Sequence, residues 1–108
     1  MLRLILAASC LLAASGTGAV EKLPTFPKKT PYGSARTSLL ALGWKPVKLA
    51  DADECRFDRC DGRPEMYACS GTGAGNCLFT WRRGDALIEI STIYEEPIVN
   101  SVRCRAGC

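Results

Sequence analysis

The chain predicts an α+β domain: one N-terminal helix packed on a four- or five-stranded antiparallel meander, stapled by disulfides. Three observations carry that expectation. One stretch near residues 31–42 has a helical apolar period, the segments from residue 65 onward alternate and are broken by turn residues, and six cysteines crowd the second half of the chain.

Residues 1–19 have the build of a secretory signal: one cation, Arg3, then the apolar run 4–14, then small residues ending at Ala19, after which signal peptidase is expected to cut. The apolar run of 11 residues is shorter than the roughly 20 that a membrane-spanning helix needs. Ala7-Ala8-Ser9-Cys10 faintly resembles a lipoprotein processing box, but a cut there would leave a leader well below the usual length of about 15 residues. Loss of Cys10 with the leader turns seven cysteines into an even six: Cys55, Cys60, Cys69, Cys77, Cys104 and Cys108. In an exported chain an even count reads as three disulfides.

The expected organisation is a signal peptide over 1–19, an extended Pro/Lys-rich arm over 20–30 and a single small α+β domain over 31–108. Pro24, Pro27 and Pro31 interleave with Lys22, Lys28 and Lys29 in the arm, a composition that favours extended chain, with Leu23 and Phe26 available to tack it onto the domain. The helix is expected over 31–42, with Thr30 as N-cap, Pro31 at the first helical position and Gly43 as the left-handed stop. Tyr32, Ala35, Leu39 and Leu42 form its apolar stripe, widened by Leu40, and Arg36 falls nearer the polar side.

Trp44 and Val47 straddle Pro46, which suits a short edge strand because proline cannot donate to an interior ladder. Residues 50–64 lack an apolar period and read as an acidic loop held by Cys55 and Cys60. Strands follow over 65–70, 77–81, 86–94 and 98–103, with Cys77, Phe79 and Trp81 on one face of the second. The glycine-rich stretch 71–76 precedes a strand and not a helix, so it reads as a hairpin turn and not as a phosphate loop.

Gly43-Trp44, Pro64-Glu65, Cys69-Ser70-Gly71-Thr72-Gly73 and Cys77-Leu78-Phe79-Thr80-Trp81, with the isoleucine-rich strand after them, resemble small secreted bacterial (periplasmic) proteins of uncharacterised function. The resemblance spans roughly residues 32–104 and implies a periplasmic or secreted bacterial protein of α+β fold. It implies no activity and no site residues; Cys55, Cys60 and Cys108 depart from its pattern.

Without the leader, 13 cations face 11 anions, a net charge of about +2 with no clustered basic face, so nucleic acid is not an expected partner. The chain has no histidine, which removes Ser-His and Cys-His nucleophiles and histidine-bearing metal sites. A carboxylate pair is the chemistry left, with Glu65, Glu89, Glu95 and Glu96 available, although alternation turns Glu89 away from Ile88 and Ile90 to a polar face. Asp51, Asp53, Glu54, Asp58 and Asp61 lack the calcium-loop order, since the sixth position from Asp51 is Arg56.

The cysteine spacings, four residues between Cys55 and Cys60, seven between Cys69 and Cys77 and three between Cys104 and Cys108, lack the Cys-x-x-Cys motif of a redox pair and fit zinc knuckles poorly. Cys69 and Cys77 flank the glycine turn and are the preferred single pairing. For the remaining four, a bridge from Cys55 or Cys60 to the tail would best tie down the acidic loop, while local bridges are geometrically possible.

No catalytic, cofactor-binding or metal residues are therefore assigned, and no cofactor is expected. The expected function is an exported, non-catalytic binding or interaction module of the envelope, such as an inhibitor or accessory factor. Its partner would be a protein or another envelope macromolecule, without stable membrane insertion, and Arg82 and Arg83 beside the exposed sheet face and glycine turn are the expected contacts. The alternative is a redox or stress-responsive thiol protein; a small carboxylate-based hydrolase ranks behind both.

The 89 residues left without the leader make a thin core. Each short-loop disulfide contributes about 2–3 kcal/mol, so three rival the whole stability of a small domain. Reduction is expected to abolish the cooperative thermal unfolding transition; a melt unchanged by reductant would contradict this.

Overall fold

The computed structural model describes residues 22–108, so the expected leader, its cleavage point and Cys10 lie outside the described residues. The elements are helix α1 (Tyr32–Ala41), strand β1 (Lys45–Pro46), a 3-10 turn (Asp58–Cys60), and strands β2 (Met66–Cys69), β3 (Cys77–Arg83), β4 (Ala86–Ile93) and β5 (Ile98–Ala106). Strands β2 to β5 pair antiparallel in chain order, which is the expected meander. β1 and β2 share the same edge of β3, with β1 opposite Trp81 and Arg82 and β2 opposite Cys77 to Phe79.

Thr80 closes the gap between those two short strands. Its N–H donates to the Glu65 carbonyl at 2.9 Å and its carbonyl accepts from Val47 N–H at 3.1 Å. Its hydroxyl donates to the Val47 carbonyl at 2.8 Å. The interrupted edge thus keeps its backbone groups satisfied although Pro46 has no N–H to give.

α1 ends where Gly43 was expected to end it. Gly43 adopts φ 90°, its N–H donates to Leu40 and the N–H of Trp44 reaches back to the Leu39 carbonyl at 2.9 Å, the paired bonds of a Schellman cap. The start differs from expectation. Pro31 occupies the N-cap position without a side-chain cap, because Thr30 spends its hydroxyl on the Pro27 carbonyl at 2.6 Å. The free N–H of Tyr32 is met instead by the Pro97 carbonyl at 2.9 Å, from the turn before β5.

Tyr32, Ala35 and Leu39 are the buried face of the helix. The tyrosine ring stacks on Phe79 at 4.0 Å between centroids, and Trp44, Met66, Trp81, Ile88 and Ile90 complete the core. Cys77, Phe79 and Trp81 share this face as their alternation predicts, and all three are fully buried. Leu40 and Leu42, expected on the stripe, are instead 48% and 55% exposed, because the sheet accepts only a narrow face of so short a helix.

The arm is fixed to the domain: Leu23 and Phe26 are half-buried against the core beside α1. It meets the outer edge of β5, where Pro31 lies opposite Ile98 and Val99 N–H donates to the Thr30 carbonyl at 2.8 Å.

Three disulfides bind the fold: Cys55–Cys60, Cys69–Cys77 and Cys104–Cys108. The middle one joins directly opposed residues of β2 and β3, the preferred pairing. The other two are local and not loop-to-tail. The 3-10 turn brings Cys60 back to Cys55 at 5.9 Å between Cα atoms, whereas Cys104 and Cys108 close a turn at the end of β5.

β5 runs to Ala106, beyond the expected end at Arg103, because the tail packs against the β3–β4 turn. Gly107 permits this approach with φ 72°, and a β-carbon there would collide with the Asp85 carbonyl. Gly107→Ala is expected to lower stability by about 2 kcal/mol or more, combining left-handed strain with the backbone collision. Gly84→Ala, also left-handed but in open space, should cost about 1 kcal/mol. Denaturant midpoints of the two variants check the difference.

Candidate functional site

Glu65, one of the four carboxylates considered for catalysis, is fully enclosed at 0% exposure. The Tyr32 hydroxyl donates to its Oε2 at 2.8 Å, Arg36 Nε donates to the same oxygen at 2.7 Å, and Arg36 Nη2 reaches Oε1 at 3.2 Å. Trp81 Nε1 then donates to the Tyr32 oxygen at 2.9 Å. The chain of bonds ties α1, the start of β2 and the middle of β3 together. Burial, followed by the neighbouring Glu65 charge, pushes the Tyr32 hydroxyl far above the ordinary tyrosine range. The Glu65 hydrogen bond likewise raises Arg36, which therefore stays charged.

Glu89 sits on the other face of the sheet, as alternation predicts, but not in solvent. It is 5% exposed and paired with Arg103 at 2.9 Å and Arg105 at 3.6 Å, its partners on β5. The Arg105 guanidinium lies 4.4 Å over the Tyr67 ring, whose hydroxyl donates to Asp51 at 2.8 Å. Tyr67 and Arg105 meet across this face, where Thr80 is also fully buried, so the expected open sheet face is partly covered. Glu95 pairs with Arg59 at 3.2 Å, and Glu96 is exposed. Glu65 and Glu89 thus stand on opposite sides of the sheet, each neutralised by arginine.

Arg59 was not singled out in the sequence, yet it locks the cysteine loop to the rest. Its side chain is buried inside the 3-10 turn, stacked 4.2 Å from the Phe57 ring centre. It donates from Nε to Cys77 Sγ at 3.1 Å, from Nη2 to the Ser70 carbonyl, and from Nη1 to Glu95. The loop, β2, β3 and the β4–β5 turn converge on this one guanidinium.

Arg82 and Arg83 take different roles. Arg82 is exposed, opposite Lys45 on β1, whereas Arg83 is half-buried over Trp44 at 4.7 Å and donates to the Leu42 carbonyl at 2.8 Å, the end of α1. The glycine turn lies at the opposite end of β3, so it and this pair do not form one rim.

A groove with a largely apolar wall lies elsewhere, between the arm and β5. Leu23, Phe26 and Pro27 form one side and Ile98, Val99 and Val102 the other, around a volume of about 620 Å³. Lys28 and Lys29 stand at its rim, with Tyr94 at one end. Tyr94 is 55% exposed and held at φ 77°, a conformation that a bulky side chain adopts rarely and at a cost. Its N–H donates to the Ala74 carbonyl at 2.6 Å, anchoring it to the glycine turn.

Among the described residues, no three histidine, cysteine or acidic side chains converge to hold a metal ion, and no helix is long and apolar enough to cross a membrane. No known protein family, curated protein or solved structure significantly matches the chain.

Arg36→Met should destabilise the fold by about 3 kcal/mol or more, since it strands an enclosed carboxylate, while Tyr32→Phe should cost about 1–3 kcal/mol. Because Tyr32 keeps its proton in the fold and releases it near pH 10 when unfolded, its contribution is intact below that pH and declines above it. Stability should therefore fall as pH rises beyond about 10, less steeply in Tyr32→Phe. Denaturation of both proteins from pH 8 to 11 provides the measurement.

Proposed function

We propose that this protein is an exported, non-catalytic binding module acting in the periplasm or outside the cell. The observation that carries the reading is the groove between the arm and β5, with its exposed, conformationally costly Tyr94 at one end. A strained aromatic on a solvent-facing turn contributes little to the core, and such positions cluster at ligand contacts. The three disulfides suit an oxidising compartment. The carboxylates support the same reading: Glu65 and Glu89 face opposite sides of the sheet and are each engaged by arginine, an arrangement unlike a pair flanking one bond. An inhibitor or accessory factor of the envelope fits these features.

The expected result of a pull-down from envelope or secreted material is a specific partner whose recovery falls with Tyr94→Gly, while the variant's melting temperature does not decrease. Thiol titration of the native protein is expected to find no free thiols and resistance to mild reductant. A single readily reduced pair would favour the thiol-redox alternative instead.

A further inference from the structure

The arm stops covering the edge of β5 abruptly. Thr30 and Pro31 pair with Val99 and Ile98, and continued antiparallel pairing would carry the preceding arm residues along the rest of the strand. Lys29 instead adopts φ 66°, and a turn closed by Thr30 N–H on the Pro27 carbonyl at 3.3 Å bends the chain away. That bend opens the groove of about 620 Å³. It also leaves the remainder of β5 without a strand neighbour on its outer side among the described residues.

The register identifies the groups left outward. Arg83 opposite Ala86 closes the two-residue β3–β4 hairpin, so alternation directs the backbone of Glu89 and Ser91 toward β5. Their partners Arg103 and Ser101 face inward, which turns the N–H and C=O of Val102 and Cys104 outward. Between Ser101 and Val99 the pairing shifts by one residue, so Val99, opposite Thr92, again has its N–H outward, where Thr30 uses it.

The two sides of this edge differ chemically. Val102 faces the apolar groove, which has Lys28 and Lys29 at its rim and no carboxylate in its wall. The other side carries Arg103, whose side chain is 73% exposed and bonds to the buried Glu89, while Arg105 reaches inward across the sheet to the Tyr67 ring. A second copy docked edge to edge would bring Arg103 against its counterpart, and like charges opposed across strands are destabilising.

We propose that the outer edge of β5 binds an extended polypeptide of another protein, adding it as a strand whose residues alternate between apolar and acidic. The apolar side chains enter the groove beside Phe26, and the acidic ones meet Arg103. Backbone bonds to Val102 and Cys104 supply affinity, and the alternation supplies specificity. This deepens the binding-module reading and rests on it.

The test uses the oxidised protein and a fluorescent nonapeptide alternating valine and glutamate. Controls are its lysine-for-glutamate counterpart and a version N-methylated at alternate backbone nitrogens. The glutamate peptide should bind about tenfold or more tightly than either control, weaken as salt is raised, and weaken severalfold with Lys28→Glu, an exposed change that spares the core. Amide NMR shifts should centre on Val102 and Cys104.

Equal binding of all three peptides, binding of none, or shifts centred elsewhere would overturn the proposal. So would an edge-to-edge dimer in sedimentation, or anionic vesicles that perturb Phe26 and Tyr94 but not the β5 amides. A pull-down partner that leaves the Val102 and Cys104 amides unmoved overturns strand addition but preserves the binding-module reading. Failure of both partner recovery and peptide binding removes both.

Discussion

The enclosed carboxylate of Glu65 is the constraint around which this small fold is arranged. A charge with no access to water must be met by donors on every side, and the donors come from α1 and, through Trp81, from β3. Satisfying it fixes the rotation of the helix over the sheet: Tyr32 can reach Glu65 and stack on Phe79 only in one orientation. A core of this size leaves little apolar surface to specify such a register, so a polar network that tolerates one arrangement does it instead.

Arginine repeats this service around the molecule. Arg36 and Arg63 lie over Trp81 and Tyr32 on the helix side, Arg83 covers Trp44, Arg59 covers Phe57, and Arg105 covers Tyr67 on the opposite face. A flat guanidinium can shield an aromatic ring while its edge still bonds to a carboxylate or carbonyl, combining packing with satisfaction of polar groups. In a domain that is mostly surface, these side chains act as the outer layer of the core. The disulfides complement them by closing local loops, while Arg59 and the Glu65 network link elements distant in the chain.

The division of the surface follows from the same architecture. One face of the sheet is occupied by α1 and the arm, and the other is partly covered by Tyr67 and Arg105. The outer edge of β5, which we propose as the contact, lies beside the groove and Arg103. The expected contact pair Arg82 and Arg83 is divided by the fold, because adjacent residues in a strand point to opposite faces and Arg83 is drawn onto Trp44.

Local patterns in the amino-acid sequence determined the helix with its stop at Gly43, the succession of strands, the buried face of β3 and the Cys69–Cys77 bridge, since periodicity, turn chemistry and close spacing act over a few residues. Tertiary structure alone decided the burial of Glu65, Glu89 and Arg59, the exposure of Leu40 and Leu42, the local pairing of the other four cysteines and the bend that frees β5. Arg36 and Glu65 are 29 residues apart in the chain, and Arg59 and Glu95 are 36 apart. Glu65 and Arg59 look like ordinary solvated residues until folding supplies the opposite charge that makes their burial possible.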